Sequence, residues 1–110
     1  MSFLMNLPVA FEFGNLLRGF RHEKGKTLRE IAAAAGMDSA VLSKIERGRR
    51  LPTEAQAASL ARTFGIPETD LQAQRIAIDF IIRYGRGESA RKALAVIRTA
   101  IEKYGADDAG

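Results

Sequence analysis

The chain has 110 residues, of which 46% are hydrophobic and 27% are charged, the proportions of an ordinary globular domain. The sequence contains no cysteine and a single histidine, which excludes disulfide frameworks, cysteine nucleophiles and metal clusters built on cysteine or histidine. The net charge of +4 arises entirely within residues 1–62, because residues 63–110 carry equal numbers of basic and acidic side chains. This imbalance fits either a polyanionic partner for the first half of the chain or a mildly basic solvated surface.

The N-terminal segment predicts neither a secretory signal nor a membrane anchor. Residues 1–13 are apolar but carry no leading Lys or Arg, and Pro8 and Glu12 interrupt the run. No stretch of the sequence reaches the roughly 18–20 apolar residues that a membrane span requires. We therefore expect a cytoplasmic protein without a membrane partner, in which residues 1–10 form an N-terminal arm.

Glycine and proline punctuate the chain at short intervals and alternating strand patterns are missing, so we predict an all-α fold. The first helix is predicted from about Phe11 to Glu23, because apolar residues recur there at spacings of three and four. A second helix begins at Thr27, whose spacing to Glu30 predicts a reciprocal capping box. It stops at Gly36, since glycine adopts the left-handed conformation without steric penalty.

Three further helices follow within the first two thirds of the chain. The third begins at about Ser39 and ends at Gly48, with apolar residues on one face. Thr53 opens the fourth helix, which also ends at a glycine, and the fifth begins at about Glu68.

Residues 72–104 are predicted to form a two-helix annex, divided at Gly85-Arg86-Gly87 and followed by a disordered tail at 105–110. The second annex helix has apolar residues at spacings of four and three, close to a coiled-coil seam. The annex has more apolar surface than one small domain needs to bury. Either a second copy of the chain covers this surface or the annex folds back on its own domain. We expect a symmetric dimer, with its interface formed by Ile78, Ile82, Leu94, Ile97, Ile101 and Tyr104.

The second and third predicted helices have the lengths of a helix-turn-helix, joined by Gly36-Met37-Asp38. Ala32 is expected where the two helices cross, because a larger side chain would push them apart. Gly36 makes the sharp turn, and Met37 fills the space beneath it.

The residues from Leu17 to Ile66 occur in the order of a known family, without insertion. The matching positions are Leu17-x-x-Phe20-Arg21, Gly25-Lys26-Thr27-x-x-Glu30-Ile31-Ala32, Gly36-Met37-Asp38, Leu42-Ser43-Lys44-Ile45-Glu46-Arg47-Gly48, Pro52 and Leu60-Ala61-x-x-Phe64-Gly65-Ile66. Over about residues 13–71 the chain thus resembles the lambda-type repressor and Cro family, also called the XRE family. The resemblance implies a five-helix lambda repressor-like DNA-binding domain at 11–71, to which the two-helix C-terminal annex is added. Its third helix, about Ser39–Arg47, would enter the major groove.

The resemblance also implies roles for individual side chains. The implied readers of base edges are Ser39, Ala40, Ser43 and Lys44. The implied phosphate contacts are Thr27, Arg29, Arg47, Arg49 and Arg50, although an arginine run by itself is more often a solvated surface. Arg21 and Glu46 match a pair that ties the first helix to the reading helix. Leu28 departs from the family, which commonly has glutamine there, so one phosphate hydrogen bond is lost and Arg29 is the candidate to replace it.

The function implied by this resemblance is a non-enzymatic transcriptional regulator, usually a repressor, that binds a palindromic operator in double-stranded DNA as a homodimer. Three alternatives use the same fold: a restriction-modification controller, an antitoxin whose annex grips a toxin, and a protein–protein adaptor. Nothing in the sequence favours an enzyme, because His22 is isolated and no glycine-rich phosphate loop is present. We expect no metal, no cofactor and no small-molecule effector.

Overall fold

The computed structural model describes residues 2–105, with side chains described at residues 10 and 12–105. Within that part the chain is all-helical, as predicted, and contains six helices and no strand. The helices are α1 (Ser2–Glu23), α2 (Leu28–Ala35), α3 (Ser39–Glu46), α4 (Glu54–Phe64), α5 (Glu68–Tyr84) and α6 (Glu88–Tyr104). None of the helices in the described residues is long and apolar enough to cross a membrane.

The N-terminus of α2 is closed by the capping box that the sequence predicts. The Oγ1 atom of Thr27 accepts a hydrogen bond from the Glu30 N–H at 3.1 Å, and the Glu30 carboxylate accepts one from the Thr27 N–H at 2.8 Å. The hydrogen bond from the Thr27 backbone lowers the pKa of Glu30 below its usual value. This contribution to stability is therefore present above the ordinary carboxyl pKa and is lost as the pH falls through the lowered one.

The turn between α2 and α3 depends on a left-handed glycine. Gly36 has φ 71° and ψ 38°, a conformation that strains any residue with a Cβ atom. Beyond it, the Met37 N–H donates to the Ala32 carbonyl at 2.9 Å, which satisfies a carbonyl at the end of α2. The chain then enters α3 with Asp38 at the N-cap position, where its side chain makes no capping hydrogen bond.

One hydrophobic core contains side chains from each of the five helices α1, α2, α3, α4 and α5. Its fully buried side chains include Leu17 of α1, Leu42 and Ile45 of α3, Leu60 of α4 and Leu71 of α5. Each burial of this kind stabilises the fold by about 1.5–3 kcal/mol relative to an exposed side chain. Because the core holds one face of α3, the opposite face of that helix must lie at the surface.

The first helix is longer than the sequence pattern predicts. It begins at Ser2 rather than at about Phe11, so residues 2–10 of the expected arm are helical. The expectation followed from the apolar spacing, which begins at Phe13, while Pro8 lacks the N–H that a helix interior needs. Extending an existing helix is nevertheless much easier than nucleating a new one, so one missing hydrogen bond does not end it. Residue 1 and residues 106–110, which hold most of the predicted tail, lie outside the described part of the chain.

The fifth helix crosses the boundary that was predicted between the DNA-binding domain and the annex. It runs without a break from Glu68 to Tyr84, whereas the sequence pattern predicts a division after residue 71. The reason is that Leu71 and Ile78, two turns apart, are buried in the same core. The fifth domain helix and the first annex helix are therefore a single element.

Candidate nucleic-acid interface

The structure brings the four predicted base-reading side chains to one face of α3. The opposite face is buried through Leu42, Ile45 and Glu46. The outward face carries Ala40 and Lys44, which are exposed. It also carries Ser39 and Ser43, which are half-buried. Residues four apart on a helix are neighbours, so these side chains form one polar, basic strip. Lysine, serine and alanine are side chains that can contact the edges of base pairs in a major groove.

The predicted arginine cluster continues this strip beyond the C-terminus of α3. Arg47, Arg49 and Arg50 are all exposed, and Arg47 donates from Nε to the Ser43 carbonyl at 3.3 Å. Within the described residues, the side chains of Lys44, Arg49 and Arg50 form no ion pair. Their positive charges are therefore not neutralised by acidic neighbours, which leaves them available to a polyanion.

The N-terminus of α2 carries the other predicted phosphate contacts. Thr27 and Arg29 are exposed, as a phosphate contact requires. The capping box already uses the N–H groups of Thr27 and Glu30, so the N–H groups of Leu28 and Arg29 are the ones left at this end. The Leu28 side chain is half-buried and packs against the core, so the residue that departs from the family pattern serves packing instead.

A buried carboxylate joins α3 to α1, and it involves the pair expected from the sequence. Arg21 donates to Glu46 from Nε at 2.8 Å and from Nη2 at 3.0 Å, a bidentate geometry. The Glu46 side chain is 3% exposed and that of Arg21 is 14% exposed. The hydrogen bond to Glu46 raises the pKa of the Arg21 guanidinium, because it stabilises the charged form.

Two further residues of α1 at this contact were not identified from the sequence. Arg18 lies 3.5 Å from Glu46 and supplies a second cation to the same carboxylate. It precedes Arg21 by one helical turn, a spacing that would have placed both arginines on one face. Gly14 lies one turn earlier again and is buried. A glycine inside a helix is less stable than alanine by roughly 0.5–1 kcal/mol, which is a signal that close packing requires it.

The annex exposes the apolar stripe predicted on α6. Only Ala90 is buried in that helix. The exposed fractions along the stripe are 51% for Leu94, 42% for Ile97, 62% for Ile101 and 56% for Tyr104. Four large apolar side chains on one side of a helix are a marker of an interaction surface.

The α5 part of the expected dimer interface differs from the prediction. Ile78 is 4% exposed and belongs to the chain's own core, so its side chain is not available to a partner. Ile82 remains at the surface with 38% exposure. The most exposed apolar side chains of α5 are instead Ile76 and Tyr84, at 58% and 67%. The face of α5 that contains Ile78 therefore packs on the core, and the face that contains Ile76 and Tyr84 lies at the surface.

Comparison with known proteins agrees with this geometry. Residues 12–74, more than half of the chain, match the family model described as a helix-turn-helix domain. The chain belongs to the helix-turn-helix family. The matched residues include α2, the turn and α3, and they form its DNA-binding domain. Within the described residues, no group of three acidic, cysteine or histidine side chains is arranged to hold a metal ion.

Relatives of this helix-turn-helix protein are named as transcriptional regulators. It is 37% identical over 54 residues to the transcriptional regulator ClgR of Mycobacterium tuberculosis, a match that covers 49% of this chain and 48% of that protein. It is 46% identical over 55 residues to the HTH-type transcriptional regulator DdrOP3 of Deinococcus deserti, covering 50% and 43% of the two chains. The chain thus spans about half the length of these curated relatives.

The crystal structure of the clp gene regulator ClgR from Corynebacterium glutamicum is similar over a longer range. The two chains are 28% identical with a TM-score of 0.53, and the alignment covers 87% of this chain and 94% of that one. An alignment of that length extends beyond the helix-turn-helix domain and includes part of the annex.

Proposed function

We propose that this protein is a transcriptional repressor that binds a short palindromic operator in double-stranded DNA as a homodimer. The observation that carries the proposal is the outward strip of α3, which is polar and basic, while Leu42, Ile45 and Glu46 on the opposite face are buried. A dimer seated on its operator excludes other proteins from the DNA that it covers, which is the simplest route from binding to repression.

Base recognition is assigned to the N-terminal and central part of α3. Lys44 is exposed and carries hydrogen-bond donors that suit the O6 and N7 acceptors of guanine. The Ala40 methyl suits the methyl group of thymine, and the Ser39 hydroxyl can bond to either base type. These contacts supply sequence preference, while the arginines after α3 supply affinity for any duplex.

The proposal is tested by measuring duplex binding as a function of salt concentration. Operator fragments are first selected from genomic DNA with the full chain. Binding should weaken steeply as salt rises, because each neutralised phosphate releases counterions. If no duplex binds even at low salt, the proposal fails and the adaptor alternative is favoured.

Arg49→Ala is expected to weaken binding to operator and non-operator duplexes alike. Loss of one phosphate contact should lower the slope of log K against log salt by about one. The same substitution at Lys92, an exposed lysine of α6 outside the helix-turn-helix, serves as the control and should leave the slope unchanged. An unchanged slope for Arg49→Ala would remove this residue from the phosphate contacts.

Lys44→Ala is expected to weaken binding to the selected operator by about 1–3 kcal/mol and to relax preference at one base position. The physical reason is the loss of a direct hydrogen bond to a base edge. The measurement compares the dissociation constants for the operator and for its single-base variants at fixed salt. Equal weakening on all sequences would make Lys44 a phosphate contact instead.

Dimerisation is assigned to the annex. The apolar stripe of α6 from Leu94 to Tyr104 repeats every three or four residues, as a helix pairing with its own copy requires. Two helix-turn-helix units read a palindrome when their α3 helices are held about 34 Å apart, one turn of DNA. Ile76, Ile82 and Tyr84 are further exposed apolar side chains of the annex, on α5. Sedimentation at micromolar concentration should give a dimer, and a monomer that stays monomeric on operator DNA would refute this part of the proposal.

A further inference from the structure

At Gly14, α1 lies close against the backbone of the reading helix. A Cβ atom built on this residue would lie 2.6 Å from the Glu46 carbonyl carbon and 2.7 Å from the Ile45 carbonyl oxygen. Ordinary contacts between such atoms lie at roughly 3.5 Å. The neighbouring atoms belong to the backbone of α3, so they cannot move aside as the end of a flexible side chain would. A side chain at position 14 would therefore have to displace one helix from the other.

The other glycine in the described part of α1 after residue 14 has a different environment. A Cβ atom added to Gly19 would meet nothing within 4 Å. Both glycines lie inside the same helix, so they share the same backbone conformation and the same intrinsic helix propensity. Their difference isolates the effect of the contact with α3.

Other contacts of α1 lie at the same end of α3. Arg21 and Arg18 hold the Glu46 side chain, while Gly14 lies against the carbonyl groups of Ile45 and Glu46. Arg21 also donates from Nη1 to the Lys26 carbonyl at 3.1 Å, just before α2 begins. The first helix thus contacts α3 and the residue that precedes the N-cap of α2.

We propose that Gly14 is a positioning residue for DNA recognition. By lacking a side chain it lets α3 lie directly on α1, and this contact sets the depth and angle at which α3 is presented to the major groove. Gly14 itself touches no DNA. The inference rests on the proposed DNA-binding function. A binding group generally has to be held within about 0.5 Å of its productive position, which is less than the shift that a Cβ atom here would impose.

The test compares Gly14→Ala with Gly19→Ala in the full chain. Gly14→Ala should weaken binding to the selected operator by tenfold or more at fixed salt, under conditions where circular dichroism shows it folded. Its salt slope should stay near that of the wild type, because no phosphate contact is removed. Gly19→Ala should bind within about twofold of the wild type, since alanine favours the helix and meets no neighbour. Equal affinities of a folded Gly14→Ala and Gly19→Ala would overturn the proposal.

A double-mutant cycle with Lys44→Ala separates positioning from simple loss of stability. If Gly14 acts through the placement of α3, Gly14→Ala should lose much of its effect once Lys44 is already gone. Fully additive effects in folded proteins would contradict the proposal. Gly19→Ala should show no coupling with Lys44→Ala.

A failure of the proposed function, and a Gly14→Ala variant that does not fold, can each be distinguished from a refutation of the role proposed for Gly14. If the wild type and Gly19→Ala do not bind duplex DNA at low salt, the proposed function fails, whatever Gly14→Ala does. If Gly14→Ala does not fold, nuclear Overhauser effects in the wild-type operator complex decide the matter. The Gly14 Hα protons should then show contacts to the backbone protons of Ile45, Glu46 or Arg47, and their absence would overturn the proposal.

Discussion

Ile97→Asp should convert the proposed dimer into a monomer and weaken binding to the full operator by about 100-fold or more. Ile97 lies in the middle of the α6 stripe and is 42% exposed in the isolated chain, so the monomer tolerates a polar residue there. In a dimer the same carboxylate would be buried without a partner, which is strongly unfavourable. Separating two linked binding units removes the roughly 10²–10⁴-fold gain that comes from joint engagement.

The matched control for this substitution is Val96→Asp. Val96 is the preceding residue of the same helix, 68% exposed and directed away from the stripe. It should remain dimeric in sedimentation and bind the operator like the wild type. If Ile97→Asp still forms a dimer, α6 does not form the dimer interface. A wild-type monomer that instead sediments with another cellular protein would favour the antitoxin alternative.

Glu46→Ala should lower the free energy of unfolding by about 3 kcal/mol, the range seen when one partner of a buried ion pair is removed. Arg21 would lose two hydrogen bonds while its side chain, 14% exposed, stays largely shielded from water. Arg18 would lose less, because its side chain is 38% exposed and solvent already screens it. Urea unfolding at pH 7 followed by circular dichroism measures the change.

Glu23→Ala supplies the control for the loss of a carboxylate. Glu23 is exposed at the end of α1, and its removal should change stability by no more than about 0.5 kcal/mol. Combining Glu46→Ala with Arg21→Ala should be less harmful than the sum of the two, since the double variant leaves no unpaired Arg21 charge. A loss below about 1 kcal/mol for Glu46→Ala would mean that desolvation offsets the attraction within the pair.

The predicted helix ends agree with the structure where the signal is local. The capping box of Thr27 and Glu30 joins residues three positions apart, and the left-handed Gly36 acts through its own backbone. Such interactions involve only residues a few positions apart, so their pattern can be read from the sequence. The same holds for the outward strip of α3, because helical periodicity alone separates its two faces.

The length of a helix and the face that it buries are harder to predict, because they depend on the other helices that pack against it. The expected start at about Phe11 followed from the apolar spacing, yet α1 continues back to Ser2. The assignment of Ile78 to a dimer interface followed from an apolar pattern that fits either of two faces. Only the packing of α5 on the core decides that Ile78 faces inward while Ile76 and Tyr84 face outward.

By itself the amino-acid sequence determined the all-helical class, the capped ends of α2 and the polar outer face of α3, since each depends on residues within a few positions of one another. The tertiary structure alone decided how α3 is seated. Arg21 and Glu46 are 25 positions apart, and the backbone contact of Gly14 with Ile45 and Glu46 spans a longer separation. Distances of this kind follow from the packing of complete helices, which no short sequence pattern encodes.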